Sequence, residues 1–188
     1  YPLVVIANRD EFHRRETDKV ARWEANGASS DRRIVAGRDR VAGGTWMGLT
    51  ECGRFAALTN FRGSAVTDPN PPSRGNLVTD FLNGTVGARE YCEALRVDGH
   101  RFNGYSLLAY DGASMCCYSN REDELTVLAP GVHGLSNHLL NSPWPKVTRG
   151  VDAIEHHFER GDDPDLMTER FFELLRDAYV PDDAALPD

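Results

Sequence analysis

Three short clusters gather the side chains of this sequence that could do chemistry: Asn8-Arg9-Asp10-Glu11, Asn60-Phe61-Arg62 and Asn137-His138. Each follows a run that reads as a strand. The first follows Leu3-Val4-Val5-Ile6-Ala7, an apolar, β-branched run that reads as a buried strand. Charges at a strand end are costly to bury and are often held by a site that uses them. An amide fixed at a strand end also suits an oxyanion hole, because its N–H stabilises negative charge developing on a reacting oxygen. Plainer roles compete: a solvated turn closed by an Arg–carboxylate pair for residues 8–11, and turn formation for each Asn, which bonds its own backbone and tolerates left-handed geometry.

Other chemistries find little support. There is no G-x-S-x-G elbow, and Ser136 precedes Asn137 without a placed base. There is no H-E-x-x-H; His156 and His157 are adjacent, so a helix points them about 100° apart, as solvated side chains rather than a ligand pair. His133 and His138 flank Asn137, and either could bind a metal or haem, although a lone histidine is more often structural. Gly43-Gly44 is too short for a phosphate loop and reads as a turn. Cys52, Cys92, Cys116 and Cys117 show no Cys-x-x-Cys or Cys/His ligand spacing. They read as reduced structural thiols of a reducing, cytoplasmic compartment, with no metal site expected. Cys116 and Cys117 would face opposite sides of a strand.

The elements that must position these groups follow from period and punctuation. Residues 11–31 are polar and read as a long loop gripping the core through Trp23. Strands are expected at 34–39, 45–50 and 54–60, the last two joined by a tight hairpin at Glu51-Cys52-Gly53. The prolines Pro69, Pro71 and Pro72 make 64–73 a loop. Apolar positions of period 3.6 predict helices over 74–82 and 85–95, split at Asn83-Gly84, with Thr85 capping the second. Strands follow at 103–110, 114–119 and 124–128, with a hairpin at Asp111-Gly112, then a short strand at 132–137. Pro143-Trp144-Pro145 opens a helix running to about Phe158, and Asp163-Pro164-Asp165 starts the last one. Strands, two helices, strands, two helices is the order of an α+β protein with an antiparallel sheet, not of a doubly wound fold.

The 188 residues suffice for one domain with a real core and are few for two. Twenty-nine acidic against 21 basic residues give a net charge of −8, which disfavours nucleic acid and anionic membrane as main partners. No apolar run reaches the roughly 20 residues of a membrane span.

Ala7-Asn8-Arg9-Asp10-Glu11-Phe12 resembles the signature of the NRDE-motif family, also called the transport and Golgi organisation protein 2 family. Ala42-Gly43-Gly44-Thr45-Trp46-Met47-Gly48 and Phe55-Ala56-Ala57-Leu58-Thr59-Asn60-Phe61-Arg62 match its second block. His133-Gly134-Leu135-Ser136-Asn137, then Ser142-Pro143-Trp144-Pro145-Lys146-Val147, match its third. The likeness spans nearly the whole chain, read as a single family domain over 1–188.

The resemblance implies an N-terminal nucleophile hydrolase-like αββα sandwich, two antiparallel sheets between helix layers. Family members begin Met-Cys, so the expected nucleophile strand lies upstream of Tyr1, and the closing strands lie beyond residues 186–188. In that fold a terminal Cys thiolate attacks a carbonyl while its own α-amino group serves as base. Asn8, Arg9, Asp10, Glu11, Asn60 and Asn137 then resemble the Arg, Asp and paired Asn positions of conjugated bile-salt hydrolases. The implied substrate is a small amide or thioester, and hydrolysis would need no cofactor. The family's link to haem trafficking and to lipid or acyl-coenzyme A metabolism implies the alternative, a non-catalytic carrier of haem or an acyl-lipid on the same fold.

Overall fold

The computed structural model describes residues 2–23, 33–63, 68–161 and 163–182. These divide into two compact units. One holds residues 13–130 with 137–139, the other residues 1–12, 131–136 and 140–188.

The first unit is built on a seven-stranded antiparallel meander: β1 Thr17–Trp23, β2 Ile34–Asp39, β3 Met47–Thr50, β4 Phe55–Asn60, β5 Tyr105–Tyr110, β6 Met115–Ser119 and β7 Glu124–Val127. Each strand pairs with its sequence neighbours. Helices α1, Gly75–Asn83, and α2, Ala88–Asp98, are inserted between β4 and β5. Their buried residues, Leu77, Val78, Phe81 and Leu82 from α1 and Ala88, Cys92 and Leu95 from α2, repeat at three and four as a core-facing stripe requires.

The sheet face beneath them is made of small side chains. The register aligns Ala36, Gly48, Ala56, Ala109 and Cys116 across five strands. That low row lets α1 lie close to the sheet. A Cβ on Gly48 would stand 2.9 Å from the Ala36 Cβ and 3.1 Å from Leu82 Cδ1. Gly44 is held more tightly: a Cβ there would lie 2.7 Å from the Gly75 carbonyl carbon at the start of α1. Gly44 is therefore demanded by backbone approach and Gly48 by the packing of Ala36 and Leu82, whereas Gly43 has open space and serves a turn at φ 77°.

Two polar side chains fix the helices. Arg54, buried at the start of β4, donates to Phe81 O at 3.0 and 3.2 Å and to Val86 O at 2.8 Å, its guanidinium 4.0 Å from the Phe81 ring centre. It places a cation at the negative end of the α1 dipole. Asp111, in the β5–β6 turn, accepts from Ala88 N at 2.8 Å. The first free amide of α2 is thus capped from the sheet, and the expected Thr85 cap is not formed, because Gly87 occupies the cap position.

The second unit contains α3 Pro145–Arg160 and α4 Pro164–Leu174. Asp163 caps α4, its carboxylate accepting from Asp165 N and Leu166 N, and Gly161 ends α3 in left-handed geometry at φ 66°.

Three further expectations are corrected. Residues 3–7 form no strand, and Val4 and Val5 are each 43% exposed. β-Branched runs fit a pleated, half-buried surface, and this one pairs with no described strand. Residues 11–31 are not all loop, because 17–23 form β1. Thr-Asp-Lys-Val-Ala-Arg-Trp lacks apolar alternation because an edge strand exposes both faces and carries charges that block foreign pairing. Trp23 does anchor it, packing on the core and donating Nε1–H to Ala36 O at 3.2 Å. Residues 132–137 are also no strand. Asn141 satisfies that backbone instead: its Oδ1 accepts from Gly134 N at 2.9 Å and its own N–H donates to Gly134 O at 2.8 Å. Residues 11–16 are loop as expected, whereas residues 24–31, residues 64–67 of the proline loop and the 183–188 end lie outside the described residues. Where the resemblance implies two sheets, the described residues form one.

Candidate functional site

Of the three clusters, only Asn60 ends a strand. β4 keeps its pairing with β5 past that point, since Phe61 N–H donates to Gly104 O at 2.9 Å. On its other side β3 has run out, the last bond being Leu58 N–H to Trp46 O at 2.8 Å. Asn137 takes the vacated lane. Arg62 N–H donates to Asn137 O at 2.6 Å, and Asn137 Nδ2 donates back to Asn60 O at 3.1 Å. The structure therefore brings Asn60 and Asn137 together across 77 residues of sequence.

Ser106, a residue not foreseen, and Phe61 hold this clip. Ser106, fully buried on β5, donates its hydroxyl to His138 O at 2.8 Å, and the Phe61 ring lies 4.5 Å from the His138 ring at 34°. The signal for Ser106 was present: a small hydroxyl residue in Tyr-Ser-Leu-Leu-Ala-Tyr, opposite Thr59 in register, has to find a partner when buried. The bond from Asn137 Nδ2 to a backbone carbonyl fixes the orientation of its side chain. That is the condition for a preorganised donor.

Asn8, Arg9, Asp10 and Glu11 belong to the other unit. Asn8 Nδ2 donates to Leu175 O at 2.8 Å, filling an orphan carbonyl at the end of α4. Glu11 accepts from the next backbone amide, Phe12 N, at 2.8 Å. Arg9 and Asp10 are exposed. His133 and His138 fall in different units; His133 Nδ1 lies 3.2 Å from Asn141 Nδ2. Among the described residues no group of three or more His, Cys, Asp or Glu is placed to hold a metal ion.

The thiols are all free. Cys92, Cys116 and Cys117 are buried and Cys52 is exposed. Burial pushes the Cys117 thiol up to about 12 and raises Cys92 and Cys116 as well. None of these three is a thiolate nucleophile.

The model of the family described as Transport and Golgi organisation 2 matches residues 1–188. The chain belongs to that family. It is 37% identical over 205 residues to the bovine Transport and Golgi organization protein 2 homolog, covering all of this chain and 68% of the bovine protein. The human homolog is 36% identical over 197 residues, with the same coverage. The Drosophila melanogaster Transport and Golgi organization protein 2 is 27% identical over 172 residues, covering 82% of this chain and 58% of the fly protein. Within this chain, the stretch from Ala42 to Gly48 acts in packing, the stretch from Asn60 to Arg62 in the clip, and Asn8 at a helix end. Among the described residues no helix is long and apolar enough to cross a membrane.

Proposed function

We propose that this domain is the scaffold of a cysteine-dependent, N-terminal nucleophile hydrolase-like protein that cleaves a small amide or thioester. The observation that carries the reading is the Asn60–Asn137 clip, a half-buried amide oriented by a bond to backbone where two segments distant in sequence meet. In this reading the meander with α1 and α2 is one sheet and one helix layer of an αββα sandwich. The nucleophile is a terminal Cys ahead of Tyr1, with its α-amino group as base. Asn137 donates to the oxyanion of the tetrahedral intermediate. The four free cysteines fit a cytoplasmic site of action.

The test is a screen of full-length protein against amide and thioester acyl substrates, with the terminal Cys→Ala variant as control. Turnover lost in that variant supports the reading. Full-length protein that turns over no acyl substrate and leaves purification with haem or an acyl-lipid bound would replace it with the carrier reading.

A further inference from the structure

The two edges of the seven-stranded sheet are unlike. β1 is protected: its pairing with β2 is broken by a bulge between Asp18 and Ala21, and it carries Asp18, Lys19 and Arg22. β7 has no bulge and carries a single charged residue, Glu124. It pairs with β6 in unbroken register from Ser119↔Glu124 to Cys116↔Val127.

The direction of its free backbone groups follows from that register. Leu128 N–H donates to Met115 O at 2.8 Å, so residues 115 and 128 are a hydrogen-bonded pair. In an antiparallel ladder such pairs alternate. Residues 117 and 126, and 119 and 124, therefore bond each other, whereas Leu125 and Val127 aim their N–H and C=O groups away from β6. Among the described residues no strand pairs with that side.

The same two residues floor an open groove of about 650 Å³ between β7 and α2. Val127 is 50% exposed and Leu125 is half-buried against the core. The walls carry Arg89 and Arg96 from α2, and Glu93, Glu122, Asp123 and Glu124. Arg89 pairs with Glu93 at 2.8 Å and Arg96 with Asp123 at 2.8 Å. The two pairs cancel, and Glu122 and Glu124 leave the groove with a net charge of −2.

We propose that this edge is a strand-addition site for an extended, cationic segment of a partner protein. Its backbone would bond Leu125 and Val127, with its alternate apolar side chains on the Leu125–Val127 floor beside α2. Its Lys or Arg side chains would face Glu122 and Glu124. Main-chain bonds supply the affinity of such additions and the alternating side chains the specificity. The inference is independent of the hydrolase reading, since it uses none of that site's residues.

The test uses full-length protein and two acetylated, amidated octapeptides, one alternating Val and Lys, the other Val and Glu. The Val–Lys peptide should bind about tenfold more tightly than the Val–Glu peptide, an advantage that salt reduces. It should slow amide hydrogen exchange at Leu125 and Val127 while leaving Glu124 and Thr126 unchanged. Val127→Pro removes an outward N–H and none of the bonds to β6, a position where a sheet tolerates proline; it should weaken the peptide about tenfold. Equal binding of the two peptides, or unchanged exchange at Leu125 and Val127 in the wild-type chain, overturns the proposal. A dimer in solution joined through β7 and dispersed by Val127→Pro also overturns it, since the occupant would then be a second copy.

Discussion

Asn137 shows how far a side chain's type carries an argument. Its identity allowed two jobs, oxyanion donor and turn former, and the structure adds a third, a clip on the lane that β3 leaves beside β4. The jobs separate kinetically. A preorganised donor lost from an acyl-transfer site costs about 10²–10³ in kcat, whereas a neutral hydrogen bond lost from such a clip costs about 1 kcal/mol of stability. Asn137→Ala in full-length protein is therefore expected to lower kcat about a hundredfold or more while Tm falls by only a few degrees. Unchanged kcat with lower Tm would make Asn137 a fastener and nothing more. Arg54 makes the complementary case. Nothing in Gly-Arg-Phe advertised a buried cation, because its partners, Phe81 O and Val86 O, are backbone atoms about 30 residues away and leave no mark in the sequence. Arg54→Met should cost about 2–3 kcal/mol in urea denaturation, the size of hydrogen bonds to a charged group, with little change in activity.

Elements were legible where packing enforces a period. The α1 and α2 stripes, the hairpins at Glu51-Cys52-Gly53 and Asp111-Gly112, and six of the strands stand within a few residues of their expected places, since one buried face dictates each pattern. Elements outside a buried face were not legible. β1 exposes both sides and mimics a loop, while residues 3–7 look like a strand and pair with nothing described. The α2 cap was missed for a different reason: Asp111 arrives from a hairpin 23 residues away. That cap has a pH signature. Partial burial opposes the Asp111 charge, but bonds from Ala88, Ser114 and Ala113 outweigh it and hold the carboxyl down at about 2. A depressed carboxylate contributes fully above its unfolded value, near 4, and its contribution is lost as pH falls through 4 toward 2. Asp111→Ala should accordingly cost about 1 kcal/mol at pH 7. In urea denaturation across that acid window, the gap between variant and wild type should close; a gap that persists to pH 2 would contradict the capping role.

At the scale of the molecule, segregated helices and an antiparallel sheet could be read from element order, and a separate unit holding residues 8–11 could not. No local pattern reports which distant segments cluster: residues 8–11, Asn60 and Asn137 were grouped by strand-end type and by resemblance alike, whereas the structure bonds Asn137 to Asn60 and places residues 8–11 in the other unit. The thiols offer a molecule-wide check on the proposed chemistry. Reaction with a disulfide reagent needs access and thiolate, and Cys92, Cys116 and Cys117 lack both, being buried with raised thiol values. Cys52 is exposed on the β3–β4 turn. The native 188-residue chain should therefore show one fast thiol at pH 8 and release the other three only on unfolding. Full-length protein with a catalytic terminal Cys should show a second fast thiol. Activation by a neighbouring base lowers the pKa of such a thiol, so its rate should hold up as pH falls from 8 to 6. Acyl substrate should protect the second thiol and leave Cys52 exposed to the reagent. If full-length protein also titrates a single fast thiol, or if substrate shields neither, the cysteine mechanism has no nucleophile and the carrier reading stands in its place.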